Sequence, residues 1–148
     1  MSSRAIRLFS PDDFDAWLPL WRGYQQFYEV DIPSEVSRAT WQRLLDPAEP
    51  MHGAFALAAE RIVGFVHYIE HRSCWTVGDY CYLQDLFVAP DVRGGGHGRG
   101  LIEHVYTEAE RRGCSRVWWL TQESNSTARL LYDRIADRSG FIQYRKIL

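Results

Sequence analysis

The amino-acid sequence has no long apolar run, no excess of basic residues and few cysteines. No stretch approaches the ~20 consecutive apolar residues that a membrane span requires, and the N-terminal Met-Ser-Ser-Arg lacks the apolar core of a signal peptide. The 17 basic and 19 acidic side chains give a net charge of −2, which provides no general attraction to nucleic acid or to an anionic membrane. We expect a soluble cytoplasmic protein that binds neither of them.

The few cysteines predict neither cross-links nor a metal site. Cys74, Cys81 and Cys114 are odd in number and scattered, which argues against a disulfide framework, and we expect them to be buried or partly buried thiols. His67 and His71 could join Cys74 as metal ligands, but no fourth ligand follows at a spacing usual for zinc. The length of 148 residues fits a single domain spanning residues 1–148.

Periodicity and turn residues predict a mixed α/β domain. The predicted elements are a strand at 4–9, a helix at 14–28 after the N-cap Ser10, a helix at 36–45, a hairpin of strands at 54–58 and 62–69, a strand at 80–88, a helix ending near Arg111-Arg112-Gly113, a strand at 116–121, a helix from Asn125 or Ser126, and a closing strand at 140–148. A helix connects the strands at 80–88 and 116–121, so these two strands should be parallel.

Glycine is concentrated directly after the strand that ends at Val88. Five of the eight residues from Arg93 to Gly100 are glycines, which let a backbone come close to a bulky anion and turn its N–H groups toward it. The next helix, with Leu101, Val105 and Ala109 on one face, adds unpaired N–H groups and the positive end of its dipole. This arrangement predicts a phosphate or pyrophosphate site.

Three known kinds of glycine-rich segment do not fit this loop. A P-loop needs Gly-Lys-Ser or Gly-Lys-Thr where this chain has Gly98-Arg99-Gly100. The dinucleotide fingerprint needs an acidic residue about 20 residues further on, where the chain offers Trp118-Trp119-Leu120. Arg-Gly-Gly tails that bind RNA are repetitive and disordered, whereas this run is single and framed by apolar segments.

The pattern Arg93-x-x-Gly96-x-Gly98 after an apolar strand instead resembles the coenzyme A loop of the GNAT acetyltransferase superfamily. Asn125-x-x-Ala128-x-x-Leu131-Tyr132 is similar to the second coenzyme A motif of that family. Residues 122–133 and 140–145 resemble its histone and polyamine acetyltransferase-like branch, which is close to the diamine acetyltransferases. The eight-residue step from Tyr132 to Gly140 is longer than usual and implies a longer helix or an inserted turn.

The resemblance implies a fold, a reaction and a set of site residues. The fold is a mixed, mostly antiparallel central sheet with a parallel splayed strand pair, flanked by helices. The reaction transfers the acetyl group of acetyl-CoA, without a metal, to a primary amine that attacks directly in a ternary complex. The implied cofactor-binding residues are Leu86, Phe87, Val88, Arg93, Gly94, Gly95, Gly96, His97, Gly98, Arg99, Asn125, Ala128 and Tyr132.

Tyr132 and Gln84 are the predicted catalytic residues. Tyr132 resembles the general acid that protonates, or hydrogen-bonds, the departing thiolate, and the Val88 N–H is expected to donate to the thioester oxygen. A lysine-like ammonium of pKa ~10.4 is neutral only about once in 2,500 molecules at pH 7, an unaided cost of roughly 4.6 kcal/mol. Diamine acetyltransferases carry a glutamate where this chain has Gln84. The base is left open among Glu29, Glu123 and a water held by Gln84, because strand alternation turns Asp85 away from Gln84.

The acceptor is expected between the first helix and the loop at 72–79. The predicted substrate-binding residues are Tyr24, Tyr28, Glu29, Trp75 and Asp85, whose rings and charges suit a small cationic amine such as a polyamine or a lysine-like compound. A protein or histone lysine and a free amino acid satisfy the same features. A coenzyme A-binding regulatory domain without turnover is the non-enzymatic alternative. The resemblance and the apolar last strand also lead us to expect a homodimer.

Overall fold

A computed structural model of the chain describes residues 4–148 as one five-stranded sheet with helices on both faces. The strands are β1 (Arg4–Leu8), β2 (Met51–Ala58), β3 (Arg61–His71), β4 (Tyr80–Val88) and β5 (Arg116–Trp118), in the order β1-β2-β3-β4-β5. The helices are α1 (Phe14–Phe27), α2 (Ser34–Leu45), α3 (His97–Arg111) and α4 (Ser126–Ile135). The first four strands are antiparallel and β5 is parallel to β4, which confirms the predicted fold. Met1, Ser2 and Ser3, which belong to the segment searched for a signal peptide, lie outside the described residues.

The first helix begins where the sequence predicts. Ser10 is followed by a short 3₁₀ turn over Pro11–Asp13 that leads into α1. The Ser10 backbone N–H donates to Asp13 Oδ2 at 2.8 Å, so the acidic residue three positions after the cap satisfies a backbone donor that the helix leaves unpaired. This fixes the direction in which α1 leaves β1.

The two faces of the sheet carry cores of different chemistry. Helices α1 and α2 cover a face that is almost entirely aromatic, with Trp17, Trp21, Trp41, Phe55, Phe65 and Phe87 buried together. Helix α3 covers the other face with the aliphatic stripe Leu101, Ile102, Val105 and Ala109. The three stripe positions predicted from the sequence are therefore confirmed. Helix α4 packs beside this second core through Leu131, Tyr132 and Ile135.

One irregularity between β3 and β4 decides which way Asp85 points. His67 pairs with Asp85 and Tyr68 pairs with Leu83, so Gln84 has no Cα partner and forms a β-bulge. Leu83 belongs to the core under α3, and strict alternation would send Asp85 to the same face. The bulge instead turns Asp85 toward the face that α1 covers.

The C-terminal part of the chain differs most from the prediction. β5 ends at Trp118 and not at Thr121, and the described residues 137–148 form no strand. α4 ends at Ile135, so the long step to Gly140 is an irregular segment and not a longer helix. A strand needs backbone groups of a neighbour to pair with, and this segment lies exposed, with Phe141, Ile142, Tyr144, Ile147 and Leu148 open to solvent.

The exposure of the cysteines corrects one further expectation. Cys81 is buried and Cys114 is partly buried, but Cys74 is exposed because it lies in the loop between β3 and β4. The expectation that all three thiols are at least partly buried is therefore wrong for Cys74. Among residues 4–148, no helix combines the length and the apolar character that crossing a membrane requires.

Candidate active site

A cleft opens where β4 and β5 separate. The two strands pair only at Tyr80↔Arg116, Cys81↔Val117 and Tyr82↔Trp118, although β4 continues to Val88. At the last pair, the rings of Tyr82 and Trp118 stack with centroids 4.2 Å apart. Beyond it, β4 presents its edge to the cleft without a partner strand from β5. An extended ligand can therefore pair with the backbone of β4 there.

The three residues predicted to contact the cofactor along β4 use their side chains for packing. Phe87 is buried in the aromatic core, and Leu86 and Val88 pack against the core under α3. The backbone of this stretch is therefore the part that can contact a ligand. Ala89 N–H donates to Val63 O at 2.7 Å, so the end of β4 is fixed to β3 just before the glycine loop begins.

The glycine loop has the backbone shape that its sequence predicts. A 3₁₀ turn over Pro90–Val92 follows β4, and Gly94 and Gly96 have φ angles of +86° and +84°. Gly96 is the N-cap of α3, so the loop delivers its N–H groups at the positive end of that helix. Such a loop with a helix N-terminus behind it can hold a pyrophosphate.

The two arginines of the loop make contacts within the chain. Arg93 Nε donates to Val88 O at 3.1 Å, and its guanidinium lies 5.3 Å from the Phe27 ring and 5.7 Å from the Phe87 ring. Arg99 pairs with Glu103 at 2.8 Å. The side chain of His97 is buried. The loop therefore offers an anion chiefly backbone amides, with Arg93 bracing the loop against β4.

The second motif lies across the cleft on α4. Asn125 is the N-cap of α4, and Ala128 and Tyr132 are partly buried on it. Tyr132 packs edge-on against Trp119, with ring centroids 5.3 Å apart. Burial, together with the nearby Tyr28, raises the pKa of Tyr132 to about 12. Tyr132 is therefore a protonated phenol at neutral pH and can donate a hydrogen bond.

On the opposite wall, a buried carboxylate lies among tyrosine rings. Tyr24 Oη donates to Asp85 Oδ1 at 2.6 Å, and the Tyr24 and Tyr28 rings are 4.8 Å apart. Burial and the nearby charge of Asp85 raise the pKa of Tyr24, Tyr28 and Tyr82. The structure thus brings together three of the five predicted substrate residues and adds Tyr82.

Sequence reasoning missed the second partner of Asp85. His67 Nδ1 lies 2.9 Å from Asp85 Oδ2, directly across the β3–β4 ladder. A buried carboxylate needs hydrogen-bonding partners. The presence of a histidine and an aspartate on neighbouring apolar strands could therefore have predicted this pair. The pairing itself depends on the bulge at Gln84, which the sequence does not indicate.

The remaining predicted residues lie apart from this cluster. Trp75 is 74% exposed and lies with its ring 5.9 Å from the Arg116 guanidinium, beside the start of β4. Glu29 is exposed just after α1, with a φ of +55°, and Gln84 is exposed at the bulge. Within residues 4–148, no group of three or more His, Cys, Asp or Glu side chains is arranged to hold a metal ion.

Comparison with known proteins finds acetyltransferases both by sequence and by structure. The model of the acetyltransferase (GNAT) family matches residues 15–136. A D-amino-acid N-acetyltransferase of Saccharomyces cerevisiae is 36% identical over 143 residues, covering 95% of this chain and 89% of that protein. A thialysine N-epsilon-acetyltransferase of Caenorhabditis elegans is 31% identical over 85 residues, covering 57% of this chain and 52% of that protein. An aminoglycoside N-acetyltransferase solved in complex with CoA superimposes with a TM-score of 0.83 at 20% identity, covering 99% of this chain and 96% of that one.

Proposed function

The chain belongs to the GNAT acetyltransferase family and is an acetyl-CoA-dependent N-acetyltransferase, and on that premise we propose that its acceptor is a small primary amine, protonated in solution. The observation that carries the proposal is the buried carboxylate of Asp85 among Tyr24, Tyr28 and Tyr82, where the cleft opens. A carboxylate attracts an ammonium, and aromatic faces favour a cation or its alkyl chain.

The coenzyme A side of the site is assigned to backbone groups and one phenol. The amides from Gly94 to Arg99 hold the pyrophosphate, and the open edge of β4 from Leu86 to Val88 pairs with the pantetheine arm. The N–H of Val88 is the proposed donor to the thioester oxygen as negative charge develops on it. Tyr132 donates a hydrogen bond to the departing thiolate, a role supported by its place on α4, where its ring packs against Trp119.

The relatives narrow the choice of amine. The yeast relative, matched over nearly the whole chain, is a D-amino-acid N-acetyltransferase, so the α-amine of a free amino acid is the first candidate acceptor. The second is the terminal amine of a lysine-like compound or a polyamine. It is supported by the aromatic walls around Asp85 and by the partial match to a thialysine N-epsilon-acetyltransferase.

The reaction is placed in the cytoplasm, and neither nucleic acid nor a membrane is proposed as a partner.

The test is release of free thiol from acetyl-CoA across four classes of acceptor. The classes are D- and L-amino acids, lysine and thialysine, polyamines, and a histone-tail peptide. We expect turnover with one class of small amine, and a loss of kcat of about 100-fold in Tyr132→Phe, the range of one general acid. Tyr68→Phe is the matched control, since Tyr68 is a second buried tyrosine, on β3 in the core under α3. Saturable acetyl-CoA binding without thiol release from any acceptor would instead support a regulatory domain.

We also propose that the chain forms a homodimer through its C-terminal segment. β5 is an edge strand of the sheet in the described part of the chain, and residues 137–148 expose five large apolar side chains close after it in sequence. Apolar residues with strand alternation at an open edge favour pairing with a second copy. Light scattering should give twice the chain mass for the full chain and the monomer mass for a chain truncated before Ser139. A monomeric full chain at micromolar concentration would contradict this.

A further inference from the structure

Four buried or partly buried side chains form a continuous hydrogen-bonded row that begins on α1, passes through β3 and β4, and returns to α1. Trp17 Nε1 donates to His67 Nε2 at 3.0 Å, and His67 Nδ1 lies 2.9 Å from Asp85 Oδ2. The other oxygen of Asp85 accepts from Tyr24 Oη at 2.6 Å. His67 and Asp85 are only 3% and 7% exposed. Water therefore has little access to the middle of the row.

The chemistry of the donors fixes the proton positions in this row. An indole N–H can only donate, so His67 Nε2 must accept from Trp17. The single ring proton of a neutral imidazole is then on Nδ1 and is donated to Asp85. A second proton on Nε2 would face the indole N–H and break that contact. His67 is therefore a neutral donor that orients Asp85, and it is not the group that takes up a proton.

Tyr24 is the end of the row that faces the cleft. Its ring is partly buried between Trp21 and Tyr28, at centroid distances of 5.1 and 4.8 Å. The phenols that surround the Asp85 charge are Tyr24 on α1, Tyr28 directly after α1, and Tyr82 on β4, the strand that also carries Asp85. Tyr82 forms the last β4–β5 pair and is close enough to Tyr24 to help raise its pKa, so Tyr24 lies near the point where the cleft opens.

We propose that Asp85 is the proton acceptor of the transferase reaction and that the Tyr24 hydroxyl relays the proton to it. His67 and Trp17 are positioning residues. This inference rests on the proposed function. Diamine acetyltransferases carry a glutamate at the position of Gln84. In this chain the next residue, Asp85, takes the place of that carboxylate.

The proton transfer balances within the groups named. An N–H bond of the acceptor ammonium breaks, and its proton joins Tyr24 Oη as the original Tyr24 proton moves to Asp85 Oδ1. The products are a neutral amine, an unchanged tyrosine and a neutral carboxylic acid. The amine lone pair is then free to attack the thioester carbon. Asp85 releases its proton to solvent through Tyr24 after product leaves. The distance of 2.6 Å is typical of a charge-assisted O–H···O⁻ bond.

The test compares two acceptors of the same length, one protonated at its amine at pH 7 and the other not. One is the best acceptor found for the wild type, and the other is its aminooxy analogue, whose nitrogen is already unprotonated. With the protonated acceptor, Tyr24→Phe and Asp85→Asn should each lower kcat by about 100-fold, and with the analogue both should remain within about 3-fold of wild type. Acetyl-CoA affinity should not change. Tyr68→Phe, a buried tyrosine on the opposite face of the sheet, is the control.

The possible results separate a proton relay from a purely structural role of the same residues. Equal losses with both acceptors would mean that Tyr24 and Asp85 are structural, and no loss with either would mean that they do not carry the proton. A wild type that releases no thiol with any acceptor would overturn the proposed function, and the relay with it. Nitrogen-15 NMR of the histidine rings tests the row without turnover, because His67 must carry its proton on Nδ1 at pH 7. A proton found on Nε2 would overturn the arrangement.

Discussion

Tyr82 and Trp118 stack at 4.2 Å with their ring planes 15° apart, at the last position where β4 and β5 lie side by side. The Trp118 indole N–H also donates to His71 Nε2 at 2.9 Å. The ring stack and this hydrogen bond fix β5 against the sheet on one side of the cleft. Past Trp118 the chain leaves the ladder, so this pair sets where the cleft begins.

Removing the Trp118 ring should destabilise the fold at the cleft. We expect Trp118→Ala to lower the free energy of unfolding by about 2 kcal/mol, because a partly buried ring and one stacked pair are lost. Trp118→Phe keeps a ring for Tyr82 and should cost about 1 kcal/mol through the lost bond to His71. Urea denaturation measures both. Trp75→Ala is the control and should stay within about 0.5 kcal/mol of wild type, since Trp75 is exposed. If Trp75→Ala lost as much stability as Trp118→Ala, the stabilising role given to the Trp118 ring would be contradicted.

The positive φ of Gly96 leads to a second prediction, on stability and acetyl-CoA binding. An alanine at a φ of +84° is strained, so Gly96→Ala should cost about 1–2 kcal/mol of stability and should weaken acetyl-CoA binding. Gly100→Ala lies inside α3, where an added Cβ comes no closer than 4.0 Å to Ile6. That change should stabilise the helix by about 0.5–1 kcal/mol. Thermal unfolding and calorimetric titration with acetyl-CoA test the pair. Unchanged affinity in Gly96→Ala would argue against the loop as the pyrophosphate site.

Stability should fall in alkaline solution because buried acids resist ionisation. Burial raises the pKa of Cys81 to about 12, and burial with the nearby Tyr28 raises that of Tyr132 to about 12. The unfolded chain ionises these groups near pH ~8.5 and ~10, while the folded chain keeps them protonated. Their contribution is therefore complete below those values and is lost as the pH rises toward 12, by at most about 1.4 kcal/mol per pH unit each.

Two variants test which group causes the loss of stability at alkaline pH. Guanidinium midpoints at several pH values should show that Cys81→Ala flattens the decline between pH ~8.5 and ~10. Tyr132→Phe should flatten the decline only above pH ~10. A decline that neither variant changes would show that other groups cause it.

Acid should destabilise the face of the sheet that α3 covers, through two histidines. Burial and the neighbouring Arg112 lower the pKa of His52 despite its bond to Glu70, and burial lowers the pKa of His104. The unfolded chain binds these protons as the pH falls through ~6.5, while the folded chain does not. Stability is therefore complete above that pH and is lost as the pH falls toward the folded pKa values.

The measurement is the melting temperature at pH 7.5 and pH 5.5. His104→Gln should reduce the difference between the two by about half, if both histidines contribute equally. Asp91→Asn should not change it. Asp91 is exposed and pairs with Arg61, which lowers the pKa of its carboxyl, so it titrates only below the tested range. A difference that persists in full in His104→Gln would leave His52 as its cause.

The early part of the chain was predictable because its signals are local. The capping residues Ser10 and Asp13 begin the first helix where expected, and the tryptophans of α1 follow helical spacing. The bounds of β4 and the start of β5 also agree with the sequence. The closing strand was wrongly predicted, because alternation shows that residues 140–148 could form a strand but not whether a neighbour is available to pair with it.

Local patterns in the sequence were enough to predict the order of elements up to α4, the glycine loop with its helix, and the motif that ends at Tyr132. Each depends on residues close together in the chain, where φ preferences, capping and periodicity act directly. The direction of Asp85 depends on the packed sheet: the side chain turns to the aromatic face and contacts His67 and Tyr24, and His67 in turn contacts Trp17. The cause is the bulge at Gln84. Register is set by how two strands fit together in a packed sheet, and one unpaired residue reverses the direction of every side chain after it.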